Sequence, residues 1–222
     1  MKLAALVPLN SRAHAKTRLA GALDPRDRAE LARWLARRVL DALHAARIPH
    51  VAVISPDDEV LRWAWQNGAQ ALRQRGSGLN AALDLGRAWA LRREADALLV
   101  ALGDLPLLTA DDIRALAGVA EAVSDASSVT IAPDRADLGT NLLLLRPVTA
   151  IPFAFGVDSL ARHSALAREV NIEPGIVRLP GAAFDVDTPA DLEELAERGL
   201  WSPAPASATT STYPHRWAGE AS

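Results

Sequence analysis

The chain has 222 residues, half of them hydrophobic, which is enough for one sizeable α/β domain and too few for two ordinary ones. A formal charge of −3 with no block of Lys or Arg argues against a nucleic-acid partner and against a polybasic membrane anchor. The absence of cysteine excludes disulfides, Cys-ligated zinc and thiol nucleophiles.

Residues 1 to 9 lack the charged start and cleavage pattern of a signal peptide, and no window of about 18 apolar residues is long enough to span a bilayer. The expected compartment is the cytoplasm, with no membrane partner. Among the 24 basic side chains only Lys2 and Lys16 are lysines. A lysine in a loop therefore marks a place where a compact ammonium must reach an oxygen, which the planar fork of arginine does less well.

In chain order, Leu3 to Pro8 reads as a buried strand, followed by a polar, basic loop from Leu9 to Arg18. Asp24-Pro25 supplies an N-cap and a first-position Pro, and Leu31, Leu35, Val39 and Leu43 recur at spacing four, so a long amphipathic helix is predicted over about 25 to 47. Val51 to Ile54 is a second strand, Asp57 to Asn67 a second helix stopped by Gly68, and Ala69 to Arg73 a third strand. This βαβαβ order predicts a mainly parallel sheet.

The loop Gln74 to Asn80 contains Gly76-Ser77-Gly78 and opens a helix through Ala82, Leu85, Ala88 and Leu91. Glycines before a helix let backbone N–H groups approach a ligand, although most such loops are only turns.

The run Ala97 to Leu102 then ends in Gly103-Asp104-Leu105-Pro106. Continuous hydrophobicity marks a strand covered on both faces, and ligands of open α/β sheets sit beyond the carboxyl ends of such strands. Taken alone, Asp104 fits a turn cap as well as a ligand. Thr109 caps a helix over Ala110 to Glu121, in which Asp111 and Asp112 serve the helix dipole.

Val129 to Ala132 and Leu142 to Leu145 read as a hairpin or neighbouring strands. Phe153 to Ser159 leads into a helix with Leu160, Leu166 and Ala167 inward, and Ile176 to Leu179 is a further short strand. Phe184-Asp185-Val186-Asp187-Thr188-Pro189 opens a last helix with a Thr cap. The domain is predicted over 1–200, and the Ser, Ala, Thr and Pro composition of 201–222 predicts a disordered tail.

In a doubly wound sheet four loops converge at one edge: the loop with Lys16, the GSG loop, Asp104, and the segment with Asp185 and Asp187. Two carboxylates from separate segments suit Mg²⁺, a hard cation that keeps phosphates in its shell. Arg12, Lys16 and Arg18 suit a polyphosphate, and backbone amides of the GSG turn suit phosphate, sugar or base. The pattern describes a nucleoside triphosphate site without a P-loop, since no GxxxxGK[ST] occurs.

The segments VPLNSRAHAKTRL, RGSGLNAAL, LGDLPLL, GTNLLLL, FGVDSLARH and FDVDTPADL resemble, in order from residue 4 to about 195, those of the CofC/FbiD family, guanylyltransferases of coenzyme F-420 biosynthesis. The resemblance implies an α/β, glycosyltransferase-A-like nucleotidyltransferase fold, a single-domain mixed but mainly parallel sheet flanked by helices. It also implies that GTP and a small phosphorylated carboxylic acid, 2-phospholactate, phosphoenolpyruvate or 3-phosphoglycerate, are joined as a diphosphate with loss of pyrophosphate. Because such diphosphates are labile, it suggests a handover to the next transferase of the pathway.

Carried over by motif, Asp104 and Asp187 are the metal ligands for Mg²⁺, with Asp185 a less secure third. Lys16 is placed for the triphosphate and is, with the two aspartates, catalytic. Gly78, Leu79 and Asn80 lie against the nucleotide, and Thr140, Gly156 and Ser159 contact the phosphoacid. The hydroxyls and the helix start at Ser159 give the acceptor assignment a physical reason of its own.

Asn10 departs from the family, which often has Lys there; the departure bears on substrate identity rather than on reaction class. His163 reads as structural more readily than as a ligand. Ser11 and His14 form a Ser/His pair without an orienting acid or oxyanion loop, so a hydrolase triad is discounted. The nearest alternatives are a molybdopterin guanylyltransferase-like or sugar-phosphate nucleotidyltransferase and, from another class, a non-catalytic nucleotide-binding subunit. A glycosyltransferase would commonly carry Asp-x-Asp where this chain has Asp104-Leu105-Pro106.

Overall fold

The first strand, β1 (Leu3–Pro8), is buried on both faces and lies near the middle of a seven-stranded sheet. The structure of the protein, a computed structural model, describes residues 1–123 and 127–202. Along the chain β1 is followed by two 3-10 turns (Arg12–His14 and Thr17–Leu19), α1 (Pro25–Ala45), β2 (His50–Ser55), α2 (Asp58–Gln66), β3 (Gln70–Arg73), α3 (Leu79–Arg92) and β4 (Ala97–Ala101). The second half holds α4 (Ala110–Ala122), β5 (Ser128–Pro133), β6 (Thr140–Arg146), α5 (Ser159–Glu169), β7 (Gly175–Ile176), α6 (Pro180–Ala183) and α7 (Pro189–Glu197).

The strand order is β3-β2-β1-β4-β6-β5-β7. β1 pairs in parallel with β2 and β4, and β6 pairs antiparallel with both β4 and β5, so β6 alone is reversed. The expected mixed, mainly parallel sheet is therefore present, and the expected pair at 129–145 is the antiparallel β5–β6 unit. Reversal of β6 has a consequence for the site: its first residues, Thr140 and Asn141, lie beside the carboxyl end of β4, where the Leu102 N–H donates to the Asn141 carbonyl at 3.1 Å.

Alternation along the buried strands divides the core in two. Leu3, Ala5, Val7, Leu99 and Leu144 face Val39, Leu43, Ile113 and Leu116 of α1 and α4. Ala4, Leu6, Leu98, Val100 and Leu143 face Leu83 and Ala90 of α3 and Phe153, Phe155 and Ala167. α3 comes so near β1 that a Cβ on Gly86 would overlap the Leu6 side chain. Its core face is Ala82, Leu83, Gly86, Trp89 and Ala90, leaving Leu85 and Leu91 exposed.

A third apolar cluster joins Leu19, Leu23, Leu31 and Leu35 to Phe184, Val186 and Leu195, with Trp201 partly buried against it. This cluster sets the last segment of the fold against the loop after β1. Burial alternates through Phe184-Asp185-Val186-Asp187: both apolar residues are buried and both acids less so. The Val186 N–H donates to the Asp104 carbonyl at 3.3 Å.

The strand predicted at Ile176 to Leu179 is corrected to the two residues of β7, because Leu179 and the first-position Pro180 begin α6. Ala167 is buried as expected, Leu160 and Leu166 pack against the core while partly exposed, and α5 also turns Ser159, His163 and Ser164 inward. The tail expected to be disordered lies, from residue 203, outside the described residues.

Candidate active site

A cleft of about 420 Å³ opens at the carboxyl ends of β1 and β4. At one end the Lys16 ammonium donates to Asp104 Oδ2 at 2.7 Å and to Asp187 Oδ1 at 3.0 Å. Arg18 reaches the other oxygen of Asp187 at 3.3 Å from an exposed position. Lys16 holds a left-handed backbone, φ 47° and ψ 47°, at the joint between the two 3-10 turns. Leu19, three residues on, anchors that turn in the third cluster, so the strained residue is aimed by packing on its own loop. The Lys16 side chain is 11% exposed. Burial acts to lower its pKa, but the charges of Asp104 and Asp187 outweigh it and hold the ammonium above the ordinary lysine value.

Asp185 lies beside this pair and accepts from the Asn141 side chain at 3.4 Å. Its carboxyl is pushed up to about 6, by burial first and then by the Asp104 charge, with Asp187 adding a little and the Asn141 amide opposing. Asp104 Oδ1 is buried with no hydrogen-bond partner among the described residues. An orphaned buried carboxylate oxygen is costly, and two carboxylates on one ammonium with a third beside them leave excess negative charge. Oxygen donors of this kind fit a divalent hard cation. Among the described residues no three His, Cys, Asp or Glu side chains are already arranged as a metal cluster.

Asp187 is supported from behind. Asp191, the N3 residue of α7, accepts from the Asp187 N–H at 3.0 Å, the Thr188 N–H at 2.7 Å and the Thr188 hydroxyl at 2.8 Å. Arg135, from the β5–β6 turn, pairs with Asp191 and Glu194. The Thr188 cap expected at the start of the helix is part of a capping box whose Asp191 also sets the backbone of Asp187.

The remaining predicted residues divide. Gly78 and Leu79 line the cleft, Gly78 with φ +93° in a region that favours glycine. Arg12 lines it too, but its guanidinium is paired with Glu59 of α2. Asn10 faces the cleft as well. Asn80 does not line it: its side chain is held by the backbone of Phe155. Ser11 and His14 are hydrogen-bonded at 2.8 Å in an exposed 3-10 turn, without a carboxylate on the ring among the described residues.

Sequence reasoning missed the far wall, where Ala29, Ala32, Arg33 and Ala36 of α1 meet Val60 and Trp63 of α2. The available signal was the small-residue spacing 29, 32, 36, which leaves room along one face of a helix.

Thr140, Ser159 and Gly156 lie outside the cleft with Lys16, the first two joined through His163. Thr140 and Ser159 are buried, Gly156 is exposed with φ +127°, and the Leu160 N–H joins α5 to the Leu138 carbonyl at 3.1 Å. His163 sits behind them, fully buried. Its Nδ1 is 3.1 Å from the Thr140 hydroxyl, its Nε2 accepts the Ala154 N–H at 3.0 Å, and its ring meets Phe155 edge-on with centroids 4.8 Å apart. An imidazole that accepts at Nε2 is neutral, so Nδ1–H is the donor to Thr140.

Burial, and secondarily the Arg162 charge, lower the His163 pKa to about 4. Because the folded pKa lies below the unfolded one, the unfolded chain binds the proton first as pH falls. Stability from neutral His163 is complete above about pH 6.5 and is lost toward pH 4, about 3 kcal/mol in all. Denaturant unfolding from pH 7 to pH 4.5 is expected to show this loss, and His163→Gln a flatter profile in the same window. Equal slopes for the two proteins would remove His163 from this role.

A parallel-rich sheet carrying a Lys–Asp–Asp cluster and a glycine-opened helix at the carboxyl ends of its strands has the fold of solved nucleotidyltransferases. The solved structure of a nucleotidyl transferase from Methanothermobacter matches with a TM-score of 0.64 at 18% identity, over 90% of this chain and 98% of that one. Residues 3–200 match the family described as guanylyl transferase CofC like, and the chain belongs to it. It is similar to a phosphoenolpyruvate guanylyltransferase of Sphaerobacter thermophilus, 50% identical over 197 residues, 88% of this chain and 93% of that protein. A phosphoenolpyruvate guanylyltransferase of Rubrobacter xylanophilus is 44% identical over 199 residues, 90% of this chain and 96% of its own.

Proposed function

We propose that this guanylyltransferase moves GMP from GTP to phosphoenolpyruvate with release of pyrophosphate, as a cytoplasmic step of coenzyme F-420 biosynthesis. The observation that carries the reading is Lys16 held between Asp104 and Asp187 at the mouth of the cleft. The choice of acceptor is supported by the two relatives named for phosphoenolpyruvate, each similar over most of the chain.

In the proposed reaction a phosphate oxygen of the acceptor attacks the α-phosphorus of GTP, the bond from that phosphorus to the bridging β-oxygen breaks, and pyrophosphate leaves with the bond's electrons. The attacking oxygen is already ionised, so neither a protein nucleophile nor a general base is needed. Catalysis then consists of alignment and charge stabilisation. Lys16 and Arg18 stabilise the departing pyrophosphate; backbone groups at Gly78 and Leu79 hold the nucleotide. Thr140, Gly156 and Ser159 receive the phosphoacid. Asp104 and Asp187, with Asp185 beside them, would hold Mg²⁺, which when bound neutralises charge at the α-phosphate.

The test is pyrophosphate release from GTP with phosphoenolpyruvate, 2-phospholactate and 3-phosphoglycerate in parallel. Phosphoenolpyruvate is expected to give the highest kcat/KM, and a chelator is expected to stop release until Mg²⁺ is restored. Failure of all three acceptors overturns the activity, preference for another acceptor overturns the choice of phosphoenolpyruvate, and release unaffected by chelation overturns the metal.

A further inference from the structure

The side chain of Asn80 forms a two-bond clasp on one residue of the loop before α5. Its Nδ2 donates to the Phe155 carbonyl at 3.1 Å, and the Phe155 N–H donates to its Oδ1 at 2.9 Å. Only one orientation of the amide satisfies both bonds, so the clasp is directional. Asn80 is the second residue of α3, immediately after Gly78 and Leu79, which line the nucleotide cleft. Phe155 immediately precedes Gly156, whose φ of +127° sets the turn toward Ser159. A single side chain therefore ties the glycine loop of one subsite to the turn of the other.

Farther along α3 a second side chain supports the same loop without lining the cleft. Arg87, two helical turns after Asn80 and on the same face, donates to the Ile151 carbonyl at 2.8 Å and stacks over Phe153 at 4.1 Å. His163 takes the Ala154 N–H from the other side. Ile151, Ala154 and Phe155 are thus pinned by side chains, and among these three pins Asn80 alone adjoins the nucleotide loop.

We propose that Asn80 is a positioning residue that couples the two subsites: GTP settling against Gly78 and Leu79 fixes the first turn of α3, and the clasp carries that order into the 153–156 turn that receives the phosphoacid. The proposal rests on the assignment of Gly156 and Ser159 to the acceptor. It differs from a nucleotide contact by Asn80, because both ends of the amide are engaged by Phe155.

Asn80→Ala is expected to raise the acceptor KM about tenfold, with the KM for GTP changed less than about twofold. A rise confined to the GTP KM would overturn the proposal. Hydrogen exchange supplies a readout that needs no turnover. In the wild-type protein GTP alone is expected to slow exchange of the Ala154 and Phe155 amides, and in Asn80→Ala that response is lost. Arg87→Met is expected to speed exchange in the same loop while keeping the response to GTP, which separates coupling from simple support. Should Asn80→Ala fail to fold, Asn80→Asp, which retains the acceptor for the Phe155 N–H, is read in its place. A GTP response retained without Asn80, or absent from the wild type, sinks the coupling; failure of every phosphoacid to react would overturn the activity while leaving the exchange result to stand by itself.

Discussion

Asp104→Asn is expected to lower the rate of pyrophosphate release by about 10²–10³-fold or more at saturating substrates, with the fold intact. The substitution keeps the shape of the side chain and removes its charge. Asp104 holds its place through its backbone, whose carbonyl accepts from Val186, and through the buried Leu105 and Pro106 that follow it. None of these contacts depends on the carboxylate. What is lost is the charge of one of the two anions holding Lys16, a charge shared with the buried Oδ1 that has no hydrogen-bond partner among the described residues. Lys16 keeps Asp187, so the ammonium is not stranded. A thermal melt close to wild type together with collapsed turnover is the expected pair of results; near-normal release would remove Asp104 from the chemistry.

The legibility of Asp104 in the sequence has a physical basis. β1 and β4 are covered on both faces, so their residues need no alternation and appear as unbroken apolar runs that end where the polar site begins. Helix starts were equally readable, because Asp24, Asp57, Thr109 and Thr188 cap through local bonds to residues two or three positions on. The short β7 was misplaced because two residues carry no periodicity, and its pairing with β5 is decided across the sheet.

Long-range commitments are a different case. Nothing local to Asn80 announces Phe155, 75 residues away, and nothing local to His163 announces the Thr140 hydroxyl. Asn80, beside its glycine loop, reads as a nucleotide contact, and His163 reads as structural without naming the partner it serves. The wall formed by α1 and α2 was hidden for another reason: its lining is mostly alanine and valine, residue types that signal packing in any helix. Charged members of the site could be found in the sequence because their chemistry is costly to place anywhere else.

Lys16→Met is expected to act on catalysis and on stability together. Methionine matches the reach and volume of the lysine stem and removes the ammonium, leaving Asp104 and Asp187 facing each other with Arg18 alone nearby, itself exposed. Breaking a well-buried ion pair costs about 3–5 kcal/mol. Asp187 is 38% exposed, so water recovers part of that loss, and about 2 kcal/mol is the expected destabilisation near neutral pH.

The sign of its pH dependence distinguishes this cause from a packing defect. Because the folded Lys16 pKa is raised, the stabilisation it gives is complete below the ordinary lysine value and is lost as pH rises through the folded one, so the deficit of Lys16→Met relative to the wild type narrows at strongly alkaline pH. A packing defect would be indifferent to pH. On the catalytic side the same change is expected to raise the KM for GTP and to lower kcat about 10²-fold, because the departing pyrophosphate loses its buried countercharge. Lys16→Arg retains the charge but replaces a point-like donor by a planar fork in a left-handed turn, and is expected to recover stability more fully than turnover. Denaturant unfolding of variant and wild type at pH 7 and at strongly alkaline pH, with pyrophosphate release for both variants, checks these statements together; unchanged kinetics in Lys16→Met would leave Lys16 as a structural clasp between two aspartates and remove it from the reaction.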